Sequence, residues 1–462
     1  MNQTSLHKSN KVDMINGPLA GKILKVAIPL AAISILQQLF NAADVAVVGK
    51  FASDTAMAAV GANTPIINIF ITFFTGMATG GNVAISTLIG RGEHKKISDA
   101  VHTVFTISLI GASLIILLGQ LLAVPILNLV NTPENVLDQA VLYLRIYIFA
   151  MFFSVIYNFA SAILRSKGDT KRPLYCLIAS GIINVGLNML FVLGLGMDVA
   201  GVALATVISN FICASATVII LLREEGPLKI SFKKLGIKKE PLTYTLRIGL
   251  PSGIQGMLFS VSNVMIQSGI NHFGSDCVSG NTAALNFEYI TYYFVSAFSQ
   301  TSTTFTSQNY GAGKMDRVKK IFFICLGLAI VASFGTSLIF VGAESRWLRL
   351  FTDKREILDY AVIRMHSVVF WEFLTAFSEM GSAGMRGMGI AVPPMIISIS
   401  GSCLLRLIWI STVFKQYDTI NALLFVYPFS WILLTVFMVP TFWIMYSRRR
   451  RSMIREEQTS IN

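Results

Sequence analysis

Four polar residues recur at helical spacing along an otherwise apolar stretch near the start of the chain. They are Ser34, Gln37, Asn41 and Asp44, and steps of three and four residues place them on one face of a helix. A carboxylate on such a face lies away from bulk water, where desolvation favours its protonated form. The stripe therefore predicts that Asp44 loads and releases a proton. The structural alternative is an aspartate bonded permanently to neighbouring amides.

Other polar side chains could extend a network around Asp44. Asn184 and Asn188 are four residues apart, so they share a helix face. The remaining candidates, each by itself more typical of packing than of a binding site, are Tyr157, Asn158, Thr206 and Asn210, and the second half of the chain adds Asn263. Together with Gln37 and Asn41, these residues form the predicted polar lining of a substrate cavity.

Three carboxylates lie within apolar runs of the second half: Glu288, Glu372 and Glu379. Glu372 and Glu379 are seven residues apart, which predicts one helix face for both. Carboxylates in such surroundings are typical of cation recognition or of an ion-coupling site. The alternative is ion pairing with Arg364 or Arg406, which lie in or near the same runs.

The elements that hold these residues must be membrane helices. Of 462 residues, 54% are hydrophobic and only 13% are charged, against roughly 25% charged in soluble domains. Apolar runs long enough to cross a bilayer as helix recur along the sequence, and with three runs that carry ionisable residues they make twelve predicted spans. Backbone groups in lipid must bond within their own segment, so we expect an all-α integral membrane protein.

The distribution of basic residues predicts the orientation of these spans. The net charge is +13, but the Lys and Arg residues lie in alternate loops and in the tail that contains Arg448–Arg451. This pattern predicts a multi-pass protein of the cytoplasmic (inner) membrane with both termini in the cytoplasm, and it argues against a nucleic-acid partner. The segment 344–356 is predicted to be an outer loop. Five scattered cysteines indicate neither a disulfide framework nor a metal site.

The chain contains an internal repeat. A shift of about 221 residues aligns Lys25–Pro29 with Arg247–Pro251, Gly90–Gly92 with Gly311–Gly313, and Arg165–Gly168 with Arg386–Gly389. The repeat predicts two pseudo-symmetric six-helix lobes, related by an axis along the membrane normal, as in secondary transporters. We place the N-terminal lobe at residues 1–222, a cytoplasmic linker at 223–240, and the C-terminal lobe with its basic tail at 241–462.

Several motifs resemble the MATE (multidrug and toxic compound extrusion) family in its DinF-like bacterial branch. They are Asn16-Gly-Pro-Leu, Gln37-Gln-Leu-Phe-Asn-Ala-Ala-Asp44, Ala59-Val-Gly-Ala, Gly201-Val-Ala-Leu-Ala-Thr206 and Gln308-Asn-Tyr-Gly-Ala-Gly313. The resemblance covers roughly Gly17 to Tyr446. It implies an antiporter that exports amphipathic, often cationic drugs or metabolites by alternating access, driven by an inward proton or sodium gradient.

The resemblance also bears on individual positions. The family has a first-span Asp at the position of Asp44, which the resemblance implies is functional. It often has a second Asp where this chain has Asn188, so the lobe holds one carboxylate where many relatives hold two. Some relatives use a Glu on the seventh span for sodium, and the matching residue here is Phe259. This departure favours protons as the coupling ion, with sodium kept open and no sodium site assigned.

Two other classes of function make different demands on the sequence. A lipid-linked oligosaccharide or polysaccharide flippase of the wider superfamily would need a cationic cavity, which Arg145, Arg364 and Arg406 favour and the embedded glutamates oppose. An intramembrane enzyme is not indicated, because the spans contain no paired-Asp motif, no HExxH and no Ser with a partnered His. We therefore expect no cofactor, and a monomer whose partners are the lipid bilayer and small amphipathic substrates.

The expected mechanism rests on Asp44. On protonation the carboxylate would lose its charge-dependent hydrogen bonds to Asn41 and Asn184. The first span would then shift at Pro29, and the narrowed cavity would release the substrate outward.

Overall fold

The N-terminal half of the chain folds into six long helices. The computed structural model describes residues 12–51, 53–130 and 132–461, and within that part all long elements are helical and no strand occurs. The six helices are α1 (Ala20–Phe51), α2 (Asp54–Arg91), α3 (His94–Leu129), α4 (Glu134–Arg165), α5 (Lys171–Asn188, continued by a π-helical turn Met189–Gly194) and α6 (Asp198–Leu222).

The C-terminal half repeats this arrangement after a segment that contains only two short 3-10 turns. Its helices are α7 (Lys239–Asn271), α8 (Ser275–Gly311) and α9 (Met315–Gly342), then α10 (Arg355–Ser367, Val369–Leu374 and Thr375–Gly387), α11 (from Val392–Ser398 to Lys415–Tyr417) and α12 (Ile420–Leu424 and Val426–Ile461). A short helix, Glu344–Leu348, lies between α9 and α10. The prediction of an all-α membrane protein with twelve long helices in two halves is confirmed.

Nine of the helices in the described part are both long and apolar enough to cross a membrane on composition alone. The other three long helices are α7, α8 and α10, and these carry most of the polar residues of the C-terminal half. α8 and α10 contain all three embedded glutamates, and α7 contains Asn263. A polar helix is stable in a bilayer when its polar face packs against other helices, so the composition of these three points to interior positions.

Three helices, α5, α10 and α11, depart from regular α geometry, and α10 corrects the sequence analysis in two respects. In α10, Val369–Leu374 is a 3-10 segment, so Glu372 and Glu379 do not lie on one uninterrupted α-helical face. The helix also begins at Arg355, within the predicted outer loop, because its first turns are polar and extend beyond the apolar run. In α11, the π-helical segments Ile399–Leu404 and Ile410–Phe414 flank a short α-helical piece. Such segments are common near functional sites.

The two halves meet through glycine contacts along α2. A Cβ at Gly76 would lie 2.4 Å from the backbone nitrogen of Gly253 on α7, and one at Gly80 would lie 2.3 Å from the carbonyl oxygen of Thr245. Only glycine permits backbones to approach this closely. The most extensive helix pairing in the described structure is accordingly that of α2 with α7.

The contacts between α2 and α8 are related to each other by the internal repeat. A Cβ at Gly90 would lie 2.1 Å from the carbonyl oxygen of Gln308, and one at Gly311 would lie 2.2 Å from the carbonyl oxygen of Thr87. Shifting the first pair by 221 residues gives the second pair with the roles of the helices exchanged. The interface between the halves is therefore pseudo-symmetric at the end of the bundle that the sequence assigns to the cytoplasm.

Side-chain bonds reinforce the same end of the bundle. Thr304 Oγ1 donates to Asn82 Oδ1 at 2.9 Å, and Gln308 Nε2 donates to the carbonyl oxygen of Ser166 at 2.6 Å. Arg165 Nη1 donates to Gln300 Oε1 at 3.1 Å. Each bond joins one half to the other. Within the described residues, hydrogen bonds between the halves lie between mid-membrane and this end.

The residues before α1 also bridge the halves. We call residues 12–17 the N-terminal strap. The carbonyl oxygen of Met14, a residue 1% exposed, accepts from Asn309 Nδ2 at 3.0 Å, and Arg317 Nη1 donates to the carbonyl oxygen of Gly17 at 3.1 Å. On the other side, Met14 packs against Gly168, whose positive φ of 86° places the loop after α4 beneath the strap. The strap thus contacts the loops that follow α4 and α8.

Candidate functional site

A chain of hydrogen bonds joins Asp44 to two other helices of the N-terminal half. Asn188 Nδ2 donates to Asp44 Oδ1 at 2.5 Å and is 3.3 Å from Asn184 Oδ1. Asn184 Nδ2 in turn donates to Ser209 Oγ at 3.2 Å. The bonds run from α1 through α5 to α6, and Asn184, Asn188 and Ser209 are all buried. We call these four residues the amide chain.

The partners of Asp44 are all neutral. Thr206 lies beside its carboxylate and donates its own hydroxyl hydrogen to the carbonyl oxygen of Val202 at 2.9 Å. Within the described part of the chain, Asp44 forms no ion pair. The donor to this carboxylate is the neutral Asn188 amide, so protonation of Asp44 would leave no buried cation without its counter-ion.

The predicted contacts of Asp44 with Asn41 and Asn184 are wrong in detail. The direct donor is Asn188, one turn further along α5 than Asn184, and Asn184 stands second in the chain of bonds. Asn41 is exposed, as is Gln37 on the same helix. The reason is geometric: Asp44 lies near the end of α1 that faces the last turn of α5, where the π-helical turn begins.

The other predicted polar residues of this half bond to backbone instead. Tyr157 Oη donates to the carbonyl oxygen of Pro173 at 3.4 Å. Asn158 Nδ2 donates to the carbonyl oxygen of Ser154 at 3.0 Å, and Asn210 Nδ2 donates to that of Ala150 at 3.2 Å. The structure therefore does not bring Tyr157, Asn158 or Asn210 into the amide chain. Ser209, which belongs to it, has no signal in the sequence beyond its spacing of three residues from Thr206.

In the C-terminal half, a buried arginine holds one of the predicted carboxylates. Arg364 Nε and Nη2 both donate to Glu288 Oε2, at 2.8 and 2.7 Å, and Nη1 donates to Asn281 Oδ1 at 2.5 Å. Arg364 is 1% exposed and Glu288 is 9% exposed. Glu288 is thus a counter-ion of Arg364, which was the alternative that the sequence left open.

A second buried arginine, Arg406, contacts the same aromatic ring as Arg364. Arg406 Nη1 donates to Asn263 Oδ1 at 2.8 Å, and its guanidinium carbon lies 4.5 Å from the ring centre of Tyr427 and 5.2 Å from that of Phe259. The guanidinium of Arg364 lies 5.2 Å from the same Tyr427 ring. Two cations therefore share one ring, an attraction that strengthens away from water.

The remaining carboxylates occupy different surroundings. Glu372 is 3% exposed, and its Oε2 has no hydrogen-bond partner among the described residues. Its charged neighbours are Glu288, Arg364 and Arg406. Glu379 instead accepts from Ser299 Oγ at 2.9 Å and lies 3.6 Å from Arg386 Nη2. The structure thus groups Glu288, Glu372 and Asn263 around the two arginines and leaves Glu379 outside that group.

The described residues contain no group of three or more His, Cys, Asp or Glu side chains with the spacing of a metal site. Phe259, the residue that the resemblance matches to a sodium-binding Glu of some relatives, faces the guanidinium of Arg406. A positive charge at this position repels a metal cation.

Comparison with known proteins identifies the MatE family. The MatE family model matches residues 29–190 and 251–410, once in each half. The probable multidrug resistance protein YoeA of Bacillus subtilis is 30% identical over 385 residues, covering 80% of this chain and 82% of the relative. The probable multidrug resistance protein NorM of Thermotoga maritima is 26% identical, covering 82% of each chain.

Solved structures share the fold at low sequence identity. A MOP superfamily transporter from Pyrococcus furiosus, reported with a binding pocket of reverse polarity, superposes with a TM-score of 0.89 at 20% identity, covering 96% of this chain and 99% of the other. An outward-facing MATE family transporter superposes with a TM-score of 0.86, also at 20% identity, covering 96% of this chain and 100% of the other.

Proposed function

Because the chain belongs to the MatE family of multidrug efflux transporters, we propose that it is a secondary active antiporter that exports amphipathic, cationic compounds in exchange for protons. As a member of this family it is a membrane transporter and not an enzyme. The observation that carries proton coupling is the bonding of Asp44. It is a carboxylate inside a membrane helix whose partners are all neutral.

Protonation of Asp44 changes the strength of the link between α1 and α5. A hydrogen bond to an ionised carboxylate is roughly twice as strong as one to a neutral group. When Asp44 takes up a proton, the bond from Asn188 loses this assistance, and α1 is held less firmly to α5 and, through Asn184, to α6. Pro29 interrupts the backbone ladder of α1 and is the natural bending point. Asp44 therefore couples proton occupancy to the position of a helix.

The membrane potential supplies part of the driving force. Inward movement of one charge is favoured by about 2.3 kcal/mol per 100 mV. This energy drives export only if the proton and the substrate favour different conformations. The halves of this structure are joined at the predicted cytoplasmic end, so we infer an outward-facing state in which Asp44 takes up its proton from outside. We further propose, from the distribution of basic residues, that the protein lies in the cytoplasmic membrane with both termini in the cytoplasm, and that it acts as a monomer.

The C-terminal half favours protons over sodium as the coupling ion. Glu288 is neutralised by Arg364, and the place of the sodium-binding Glu of some relatives is taken by Phe259, which faces Arg406. Glu372 is the remaining carboxylate near the arginines, and we assign it to recognition of substrate cations. Glu379 already contacts Ser299 and Arg386, so it is a weaker candidate than Glu372 for binding substrate cations.

A lipid-linked oligosaccharide flippase remains the second candidate, and it rests on the arginines of the C-terminal half. Arg145 is exposed on α4 and lies outside that group. Arg364 is already paired with Glu288. Of the three arginines that favour a cationic cavity, only Arg406 is both buried and without an ion pair within the described structure, so the antiporter is better supported.

The test is substrate-induced proton movement in proteoliposomes with Asp44→Asn. The amide has the size of the carboxylate but cannot carry a proton, so we expect the variant to fold and to bind substrate without releasing protons. The matched control is Asp138→Asn, which changes an exposed aspartate at the start of α4. Coupling at the wild-type level in Asp44→Asn would remove this residue from the mechanism and leave Glu372 as the carrier.

A further inference from the structure

The two arginines that share the Tyr427 ring differ in how their charge is balanced. Arg364 donates two hydrogen bonds to Glu288 and one to Asn281. Arg406 donates to Asn263 and, at 3.5 Å, to Ser262, and both acceptors are neutral. It forms no ion pair within the described part of the chain. Arg406 is 1% exposed, and its Nε has no acceptor there.

A buried guanidinium with unused donors is costly, because removing an ion from water is repaid only when its charge and its hydrogen bonds are satisfied. The rings of Tyr427 and Phe259 offset part of this cost. They accept no hydrogen bond in the plane of the guanidinium. The unused edge of Arg406 therefore matches a planar acceptor with negative charge, such as a carboxylate or a phosphate.

The unused Nε side of Arg406 lies near the boundary between the two halves. Phe259 and Asn263, which contact Arg406, lie on α7, and Ser260 Oγ on the same helix is 3.2 Å from Thr72 Oγ1 on α2. Phe259 is 37% exposed, and Asn263 is partly exposed. Arg406 itself lies between two π-helical segments of α11, a type of segment that is frequent at functional sites. A ligand between the halves would reach Arg406 past Phe259 and Asn263.

We propose that Arg406, Asn263, Phe259 and Tyr427 form a binding site for the anionic group of an amphipathic substrate, a carboxylate or a phosphate attached to an apolar or aromatic body. The proposal rests on the proposed export function and narrows its substrates to compounds that carry such a group. Glu372, which lies in the same cluster, accommodates a cationic group on the same molecule. The preferred substrates are then zwitterions rather than simple cations.

The experiment uses a rhodamine dye with a free carboxylate and the methyl ester of the same dye. The two probes share one aromatic body and one cation and differ only in the anion. Binding to the purified full-length protein in detergent is followed by fluorescence anisotropy, with no gradient present. We expect the wild type to prefer the carboxylate dye. We expect Arg406→Gln to weaken binding of that dye about tenfold, as for a lost charged hydrogen bond, and to leave the ester unchanged.

Two further variants keep the test decisive if Arg406→Gln folds poorly. Asn263→Asp supplies a carboxylate beside Arg406, so it should remove the preference while satisfying the buried charge. Arg145→Gln makes the same substitution at an exposed arginine outside the cluster, so it should keep the preference. In the wild type, displacement of the dye by benzoate or by phenyl phosphate would support the site.

Equal affinity of the wild type for the two dyes would overturn the proposal. So would an unchanged preference in both Arg406→Gln and Asn263→Asp, or failure of both aromatic anions to displace the dye. Because no gradient is used, these outcomes are independent of proton coupling. A preserved dye preference without proton-driven export would instead refute the antiport function and leave this site standing.

Discussion

The two halves of the molecule share a backbone plan and differ in where they keep their charges. In the N-terminal half, the embedded carboxylate Asp44 has neutral partners, and the buried ion pair Lys167–Glu224 lies beyond the helix ends. In the C-terminal half, the pair Arg364–Glu288 lies inside the bundle. The repeat thus fixes helix positions without fixing chemistry. The N-terminal half is suited to a carboxylate that gains and loses a proton, and the C-terminal half to side chains that remain charged.

The largest expected effect comes from breaking the permanent pair. Arg364→Gln leaves Glu288 buried without its counter-ion, which should lower the free energy of unfolding by about 3–5 kcal/mol. Thermal unfolding in detergent measures this loss. Adding Glu288→Gln to the same variant should restore most of the stability, because neither charge then remains. Asp44→Asn should cost little by comparison, and an equal loss in Asp44→Asn would erase the distinction between the halves.

The shared backbone plan predicts equal effects at symmetric positions. Gly90→Ala and Gly311→Ala each place a methyl group against a carbonyl oxygen of the other half, at 2.1 and 2.2 Å in the present packing. Each should destabilise the protein by about 1–3 kcal/mol. Gly61→Ala on α2 is the matched control, since a Cβ there meets no atom within 4 Å. A loss of stability in only one of these two variants would show that the interface at the predicted cytoplasmic end is not symmetric.

Glu372 tests whether the C-terminal half recognises cations. Glu372→Gln removes a negative charge that has no hydrogen-bond partner at Oε2 within the described structure. Export of a quaternary ammonium compound from cells should fall about tenfold, because a charged contact is lost, whereas export of a neutral compound of similar size should persist. Glu379→Gln is the comparison variant, with a smaller expected effect. Equal losses for both compounds would assign Glu372 to structure.

The smallest effect concerns the ion pair outside the membrane. Burial raises the pKa of the Glu224 carboxyl. The bonds from Lys167 and Arg172 lower this pKa by more than burial raises it, so it lies below the ordinary value of 4.5. A lowered carboxyl pKa stabilises the fold above the unfolded value, and this contribution is lost as the pH falls through the folded value. Glu224→Gln should therefore cost about 1 kcal/mol at neutral pH. A difference that persists well below pH 4.5 would contradict this explanation.

The sequence predicted the helices because apolar runs of membrane length and a repeat near 221 residues are direct consequences of the bilayer and of the symmetry. It predicted that Asp44 points into the protein because the polar residues on one side of an apolar membrane helix must face away from lipid. It did not predict the bond from Asn188, which depends on which turn of α5 faces the end of α1. The surroundings of Glu372 and Arg406 depend on 3-10 and π-helical segments, and these breaks leave no trace in apolar periodicity.

The N-terminal strap has a consequence for how the protein is made. Asn309, which donates to the carbonyl oxygen of Met14, leaves the ribosome 295 residues after it. At bacterial rates of 5–20 residues per second, this interval is about 15–60 s. Throughout that time the strap can contact only the first half, through Lys22 on α1 and the loop after α4, because Arg317 and its neighbours have not been synthesised. Docking of the strap therefore requires that α7, α8 and the start of α9 have been made and have joined the first half.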